Sequence, residues 1–155
     1  MKYSIYTDGG CSGNKRDAGC KGAWAFVILN VFDEIIHSGA GREVNTTNNR
    51  MELTATIKGL EELINIQNKF GSKDTECTVY TDSKYVSDNF SDYVEGWKEN
   101  GWRKSSGGSV INTDLWKLLC SRTPEFKSFK FQWVKGHSTN KFNQLVDKTL
   151  RDLLY

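Results

Sequence analysis

Two stretches of the chain repeat one short pattern: Ile5-Tyr6-Thr7-Asp8-Gly9 and Val79-Tyr80-Thr81-Asp82-Ser83. Each is typical of a β-strand that ends in Tyr-Thr-Asp. If the two strands are adjacent and parallel, both aspartates lie at the carboxyl edge of one sheet, where α/β sheets bind ligands. Each aspartate is in phase with its tyrosine, so both carboxylates can face the same way. The repeat therefore predicts two carboxylates side by side at a sheet edge.

Apolar periodicity predicts the elements around this pair. The predicted strands are 2–7, 22–29, 34–41, 77–81 and 129–135, and the predicted helices are 49–67, 83–100, 113–121 and 143–154. Three early strands favour an antiparallel meander, and strands separated by helices favour parallel crossovers. We expect an α/β fold in which helices flank a five-stranded mixed sheet.

Composition bounds the class of protein. The chain has 155 residues, 37% hydrophobic residues and a net charge of +2, which fits one globular domain over 1–155. The charge excludes a strongly cationic coating protein, but not a nucleic-acid enzyme with segregated charge. The longest apolar run, 23–29, is too short to span a membrane, and no signal peptide is visible. Scattered cysteines favour reduced thiols and a cytoplasmic protein (Cys11, Cys20, Cys77 and Cys120).

Two further carboxylates are candidates for the same site. Glu52 lies near the start of a predicted helix, and Asp147 lies in the last one. Each also has an ordinary explanation, because Glu52 can complement the helix dipole and Asp147 can be a solvated surface group. Asp8 and Asp82 can likewise start a turn or cap a helix. If the carboxylates cluster, their mutual repulsion calls for divalent cations, such as the Mg²⁺ pairs that drive phosphodiester cleavage.

Four blocks of sequence resemble type 1 ribonuclease H in their order and spacing. They are Tyr-Thr-Asp8-Gly-Gly-Cys-Ser-Gly-Asn14, Thr46-Thr-Asn-Asn-Arg-Met-Glu52-Leu, Tyr-Thr-Asp82-Ser-Lys-Tyr-Val and Trp133-Val-Lys-Gly-His137. The resemblance implies a ribonuclease H-like fold and hydrolysis of the RNA strand of RNA/DNA hybrids with two Mg²⁺ ions, or Mn²⁺, leaving 3′-hydroxyl and 5′-phosphate ends. It implies that Asp8, Glu52, Asp82 and Asp147 bind metal, and that His137 assists proton transfer or product release.

The resemblance also implies contacts with the hybrid. Cys11, Asn14, Asn48 and Lys84 correspond to positions that meet the RNA strand and its 2′-hydroxyls. Asn45, Thr47 and Asn112 correspond to a pocket for a DNA phosphate, which fixes register without reading sequence. Trp97 and Trp102 match an aromatic-basic protrusion that grips the DNA strand, although Trp97 also fits a core-packing helix stripe. Asn143 supports the register of Asp147 and is a further candidate contact.

Some positions depart from the family pattern. Lysine and threonine follow Asp147 where alanines are common, and Asn45 stands where some members have an arginine. The protrusion 97–104 has three basic residues and one acidic residue, which predicts modest, salt-sensitive binding of the hybrid.

We expect the protein to be a monomer that works in the cytoplasm, at the nucleoid or at a viral replication site. The alternatives are a non-catalytic hybrid-binding module, an integrase-like nuclease of related fold, and a domain that works fused to a reverse transcriptase.

Overall fold

The predicted strands and helices are all present in a computed structural model, which describes residues 1–12, 20–71, 73–136 and 139–155. In chain order the elements are β1 (Lys2–Ser12), β2 (Lys21–Leu29), β3 (Ile35–Val44), α1 (Asn48–Lys69), β4 (Glu76–Thr81), α2 (Lys84–Asp92), α3 (Val94–Glu99), α4 (Thr113–Arg122), β5 (Ser128–Trp133) and α5 (Lys141–Leu154). A short 3₁₀ turn, Thr123–Glu125, follows α4. Within the described ranges, none of the helices is long and apolar enough to cross a membrane.

The strands form one mixed sheet in the order β3-β2-β1-β4-β5. The first three strands are an antiparallel meander, and β4 and β5 add to β1 in parallel, which confirms the predicted fold. Tyr6 is paired in register with Tyr80, and their rings stack with centroids 4.6 Å apart. Asp8 and Asp82 each lie two residues beyond these tyrosines. The register therefore carries both aspartates to the same edge of the sheet.

β1 is longer than its sequence pattern predicts. It continues past Asp8 to Ser12, because β2 pairs with it as far as the Ser12–Lys21 partners. The parallel pairing with β4 ends at Tyr6. Asp8 therefore lies inside β1 rather than at its end, beyond the last residue of β1 that pairs with β4.

Helices cover both faces of the sheet. α1 packs on β1 and β2 and against α4, and its buried Leu53, Ile57 and Leu60 belong to the main core. α5 packs on the opposite face of β1 and β2, where Val146 joins a smaller core with Tyr6. This arrangement places the start of α1 and the middle of α5 on either side of the strand that carries Asp8.

The predicted helix 83–100 is wrong in one respect, because it is divided at Tyr93. Tyr93 leaves the helical region (φ −124°, ψ −26°), so α2 ends at Asp92 and α3 begins at Val94. The two helices pack on different partners. The ring of Phe90 lies edge-on to two aromatic rings of β5, whereas Trp97 meets the ring of Trp116 on α4. Because the chain turns at Tyr93, Phe90 and Trp97 of the predicted apolar stripe pack on different elements, β5 and α4.

Candidate active site

The close approach of β1 and α1 brings Asp8 and Glu52 together. The backbone N–H of Gly9 donates to Asp8 Oδ1 (3.0 Å) and to Glu52 Oε1 (3.1 Å). A side chain at Gly9 does not fit, since a Cβ there would lie 2.3 Å from the backbone carbonyl of Met51. Asp8 and Glu52 are both buried, at 4% and 7% exposure. One shared N–H thus orients two buried carboxylates.

Asp82 joins these two from the turn between β4 and α2. Its backbone carbonyl accepts a hydrogen bond from Trp133 Nε1 (3.1 Å), and the turn is held further by Ser83 N–H on Thr81 Oγ1 (3.0 Å). The side chains of Asp8, Glu52 and Asp82 each present an oxygen within 4.8 Å of the others. Residues far apart in sequence therefore form one acidic cluster.

Burial and mutual repulsion shape the electrostatics of the cluster. Burial, followed by the charges of Asp82 and Asp147, raises the pKa of Asp8 from 3.8 to about 8. Burial and the charges of Asp8 and Asp82 also raise the pKa of Glu52 well above its ordinary value. Ionising this cluster at neutral pH is unfavourable without a counter-charge.

The cluster fits a divalent cation. Glu52 Oε2 is buried and has no hydrogen-bond partner within the described part of the chain. Buried polar atoms are normally paired, so an orphaned carboxylate oxygen beside two other carboxylates suits a cation. Carboxylate oxygens are the ligands that Mg²⁺ and Mn²⁺ prefer. Asp8, Glu52 and Asp82 are the residues placed to hold it.

Asp147 faces the same cavity but lies outside this group of three. The cavity has a volume of about 650 Å³, and α5 contributes Asn143, Asp147 and Arg151 to its lining. Asp147 Oδ2 forms an ion pair with Arg151 Nε at 3.1 Å. Asn143, predicted to support this register, is buried at 3% exposure. The fourth predicted metal ligand is therefore near the cluster and paired with a cation of its own helix.

The predicted contacts to the RNA strand lie beside the acidic cluster. The backbone N–H of Cys11 donates to Asn48 Oδ1 (2.7 Å), which fixes the amide of Asn48 at the start of α1. Lys84 begins α2, next to Asp82, and its Nζ lies 4.9 Å from the ring centroid of Trp133. Trp133 is 38% exposed. The hydrogen bond from Trp133 to the Asp82 carbonyl depends on the tertiary fold, and no sequence pattern predicted it.

The predicted phosphate-pocket residues lie where α1 meets α4. Asn45 has a left-handed backbone (φ 55°), and Thr47 caps α1 by accepting from Arg50 N–H at 3.2 Å. Asn112, also left-handed (φ 61°), donates from Nδ2 to the Tyr85 hydroxyl (3.0 Å) and accepts from Arg50 Nη1 (3.2 Å). No sequence pattern assigned a role to Arg50 or Tyr85, although Arg50 lies inside the block that contains Glu52.

Trp97 and Trp102 are neighbours and are both partly buried against the main core. The N–H of Trp102 donates to the carbonyl of Trp97 at 2.7 Å, and the ring of Trp97 stacks on Tyr93 with centroids 6.1 Å apart. A groove of about 450 Å³ runs past Tyr93, Trp97, Arg103 and Lys104. Trp97 therefore packs against the core and also lines the surface groove.

Asn14 and His137 lie outside the described residues. Gly136, which precedes His137, approaches Asp82, since a Cβ there would lie 3.5 Å from Asp82 Oδ2. The segment that leads into His137 therefore passes the acidic cluster.

Comparisons with known proteins agree with this architecture. The RNase H family model matches residues 1–154. A ribonuclease H of Wolbachia sp. subsp. Drosophila simulans (strain wRi) is 42% identical over 150 residues, which is 97% of this chain and 93% of that protein.

Solved structures show the same fold. LC9-RNase H1, described as a type 1 RNase H with the type 2 active-site motif, superposes with a TM-score of 0.82 at 23% identity, covering 99% of this chain and 72% of the other. LC11-RNase H1 in complex with an RNA/DNA hybrid gives 0.66 at 22% identity and covers 99% of each chain. With the family model and the Wolbachia relative both matching almost its full length, the chain belongs to the ribonuclease H family.

Proposed function

We propose that this protein cuts the RNA strand of RNA/DNA hybrids internally with two divalent cations, leaving 3′-hydroxyl and 5′-phosphate ends. Family membership makes it a nuclease that acts on RNA/DNA hybrids. The observation that carries the finer proposal is the cluster of Asp8, Glu52 and Asp82, whose oxygens lie within 4.8 Å of one another. Such a cluster has little structural value by itself, because it is strongly self-repelling.

In this proposal Asp8, Glu52, Asp82 and Asp147 hold the cations. Two Mg²⁺ or Mn²⁺ ions, when bound, supply the positive charge that lowers the pKa of an attacking water and neutralises the leaving 3′-oxygen. The carboxylates fix where that charge sits, and Gly9 N–H keeps Asp8 and Glu52 in place. His137 is proposed to move a proton at the reacting phosphate or to loosen product, because histidine titrates near neutral pH.

The rest of the site is proposed to hold the hybrid. Cys11, Asn14, Asn48 and Lys84 are assigned to the RNA strand, where 2′-hydroxyl contacts distinguish RNA from DNA. Asn45, Thr47 and Asn112 are assigned to a DNA phosphate, and Asn143 to support of the Asp147 side of the cleft. Trp97 and Trp102 are assigned to the DNA strand, and Arg103 and Lys104 line the same groove as Trp97. The solved hybrid complex of LC11-RNase H1 shares this fold and supports the choice of ligand.

The test is a cleavage assay on end-labelled RNA/DNA, RNA/RNA and DNA/DNA duplexes with Mg²⁺, Mn²⁺ or EDTA. We expect metal-dependent cutting of the RNA strand only in the hybrid, with 3′-hydroxyl ends. Asp8→Asn and Asp82→Asn should abolish cutting while hybrid binding survives. Asp88→Asn, which removes an exposed carboxylate from the helix that follows Asp82, is the matched control and should cut normally.

Three results would overturn the proposal. Salt-sensitive binding of the hybrid without any cutting would favour a binding module. Cutting of duplex DNA would favour an integrase-like nuclease, and full activity of Asp8→Asn would show that the carboxylates are wrongly assigned.

A further inference from the structure

Asp147 and Arg151 lie one helical turn apart on α5 and face the cavity that holds the acidic cluster. Arg151 Nε is 3.1 Å from Asp147 Oδ2. The spacing alone favours this pair, because an acid four residues before a base is the better order in a helix. The carboxylate of Asp147 is thereby drawn along its own helix, and its oxygens are not among those within 4.8 Å of one another in the cluster.

The ion pairs of the basic residues that line the cavity distinguish Arg151 from Lys148. Asp147 is one of the charges that raise the pKa of Asp8, so its carboxylate is close enough to repel the cluster. Two cations are among the described residues that line the cavity, Lys148 and Arg151. Lys148 Nζ is 2.9 Å from Asp152 Oδ2 and so pairs with a residue outside the cavity lining. Arg151 is the one that pairs with a carboxylate of the cavity.

We propose that Arg151 is a positioning residue that holds Asp147 outside the acidic cluster until divalent cations arrive. The oxygens of Asp147 are not among those that lie within 4.8 Å of one another, so its carboxylate has to move to join the other three around a cation. The ion pair with Arg151 opposes that movement and so competes with metal binding. This inference rests on the proposed function, in which Asp147 is a metal ligand. Both side chains are partly exposed, at 63% for Arg151 and 30% for Asp147, so the pair is weak enough for a cation to break.

The size of the effect follows from the strength of exposed ion pairs. Such pairs change an equilibrium by about two- to five-fold. Arg151→Gln should therefore tighten Mg²⁺ binding by about two- to five-fold, because Asp147 is then free to turn to the cation. Arg151→Lys keeps both the charge and the i, i+4 spacing and should restore an affinity near that of the unaltered protein.

The experiment is titration calorimetry of the full chain with MgCl₂ in the absence of nucleic acid. Lys148→Gln is the matched control, because it removes one positive charge from the same helix and leaves the Asp147–Arg151 pair intact. We expect a clearly smaller change for Lys148→Gln than for Arg151→Gln. Equal tightening in both variants would show that only net charge matters and would overturn the positioning role. Thermal unfolding of each variant in EDTA checks that these surface changes leave the fold intact.

A double-variant cycle separates this inference from the proposed function. In the Asp147→Asn background, Arg151→Gln should change Mg²⁺ affinity no more than Lys148→Gln does, because Arg151 acts through Asp147. If Asp147→Asn leaves Mg²⁺ affinity unchanged, Asp147 is not a ligand, and the positioning role fails with it. If Asp147→Asn weakens Mg²⁺ binding but Arg151→Gln behaves like Lys148→Gln, the ligand role stands and only the positioning role fails.

Discussion

Replacing Asp8 by asparagine should make the metal-free protein more stable at pH 8, while removing its activity. Oxygens of Asp8, Glu52 and Asp82 lie within 4.8 Å of one another. At that distance one pair of like charges repels by about 3 kcal/mol in a medium of effective dielectric constant near 20. The pKa of Asp8 is raised to about 8, first by burial and then by its charged neighbours. That shift sets an upper bound of about 6 kcal/mol on the free energy of unfolding gained when the carboxylate is removed. We expect the free energy of unfolding of the metal-free protein at pH 8 to rise by about 3 kcal/mol.

The direction of the pH dependence follows from the raised pKa. The folded protein keeps the Asp8 proton up to about pH 8, whereas the unfolded chain loses it near pH 4. The folded state therefore binds more protons between these values, and its stability falls as the pH rises through this window. Below pH 4 both states are protonated and the full stability is present. Asparagine does not titrate, so the variant should lack this part of the decline.

Urea unfolding in EDTA at pH values from 4 to 8.5 measures the effect. The free energies of unfolding of the two proteins should be similar near pH 4 and should separate by about 3 kcal/mol at pH 8. Asp88→Asn should follow the unaltered protein. Added Mg²⁺ should stabilise the unaltered protein at pH 8 and have much less effect on Asp8→Asn, since a ligand stabilises only the state that binds it. Parallel stability curves for the two proteins would refute the reasoning.

Three further substitutions test the residues that hold the carboxylates in place and the proposed role of His137. Gly9→Ala should destabilise the fold by about 2–3 kcal/mol in urea unfolding, because its Cβ would meet the carbonyl of Met51 at 2.3 Å. Trp133→Phe keeps an aromatic side chain but removes the indole N–H that bonds the Asp82 carbonyl, so Mg²⁺ affinity by calorimetry should fall about five-fold, as expected for about 1 kcal/mol. His137→Ala should slow multiple-turnover cleavage without abolishing it; an unchanged rate would exclude the proposed role.

The sheet could be predicted from the sequence because each strand carries its own short pattern of residues. The paired Tyr-Thr-Asp strands predicted that β1 and β4 are parallel neighbours, and the stacked rings of Tyr6 and Tyr80 confirm that adjacency. Side-chain parity then placed Asp8 and Asp82 at one edge. Sequence spacing left the approach of Glu52 open, because that approach depends on how closely α1 packs against Gly9.

The features that sequence analysis missed depend on contacts between distant segments. The bond from Trp133 to Asp82 joins β5 to the end of β4, and the Tyr85 hydroxyl accepts bonds from Asn112 and from Trp116. No short pattern indicates such pairs. The division of the predicted helix at Tyr93 has the same origin, since one apolar stripe packs on two different elements and periodicity cannot show which.

Rigid packing around the carboxylates is what makes the site useful. Three carboxylates this close would move apart as they ionise if the backbone allowed it. Gly9 prevents this for Asp8 and Glu52, because its lack of a side chain lets β1 and α1 touch while its N–H holds both carboxylates. Trp133 holds Asp82 through the backbone, because its indole N–H donates to the backbone carbonyl of Asp82. The fold therefore holds the three carboxylates together, and their burial and closeness keep the Asp8 proton bound up to about pH 8 when no cation is present. In the proposed function, a divalent cation supplies the positive charge that lets the carboxylates ionise together. In the proposed positioning role of Arg151, Asp147 lies on a separate helix and is the carboxylate that moves when a cation arrives.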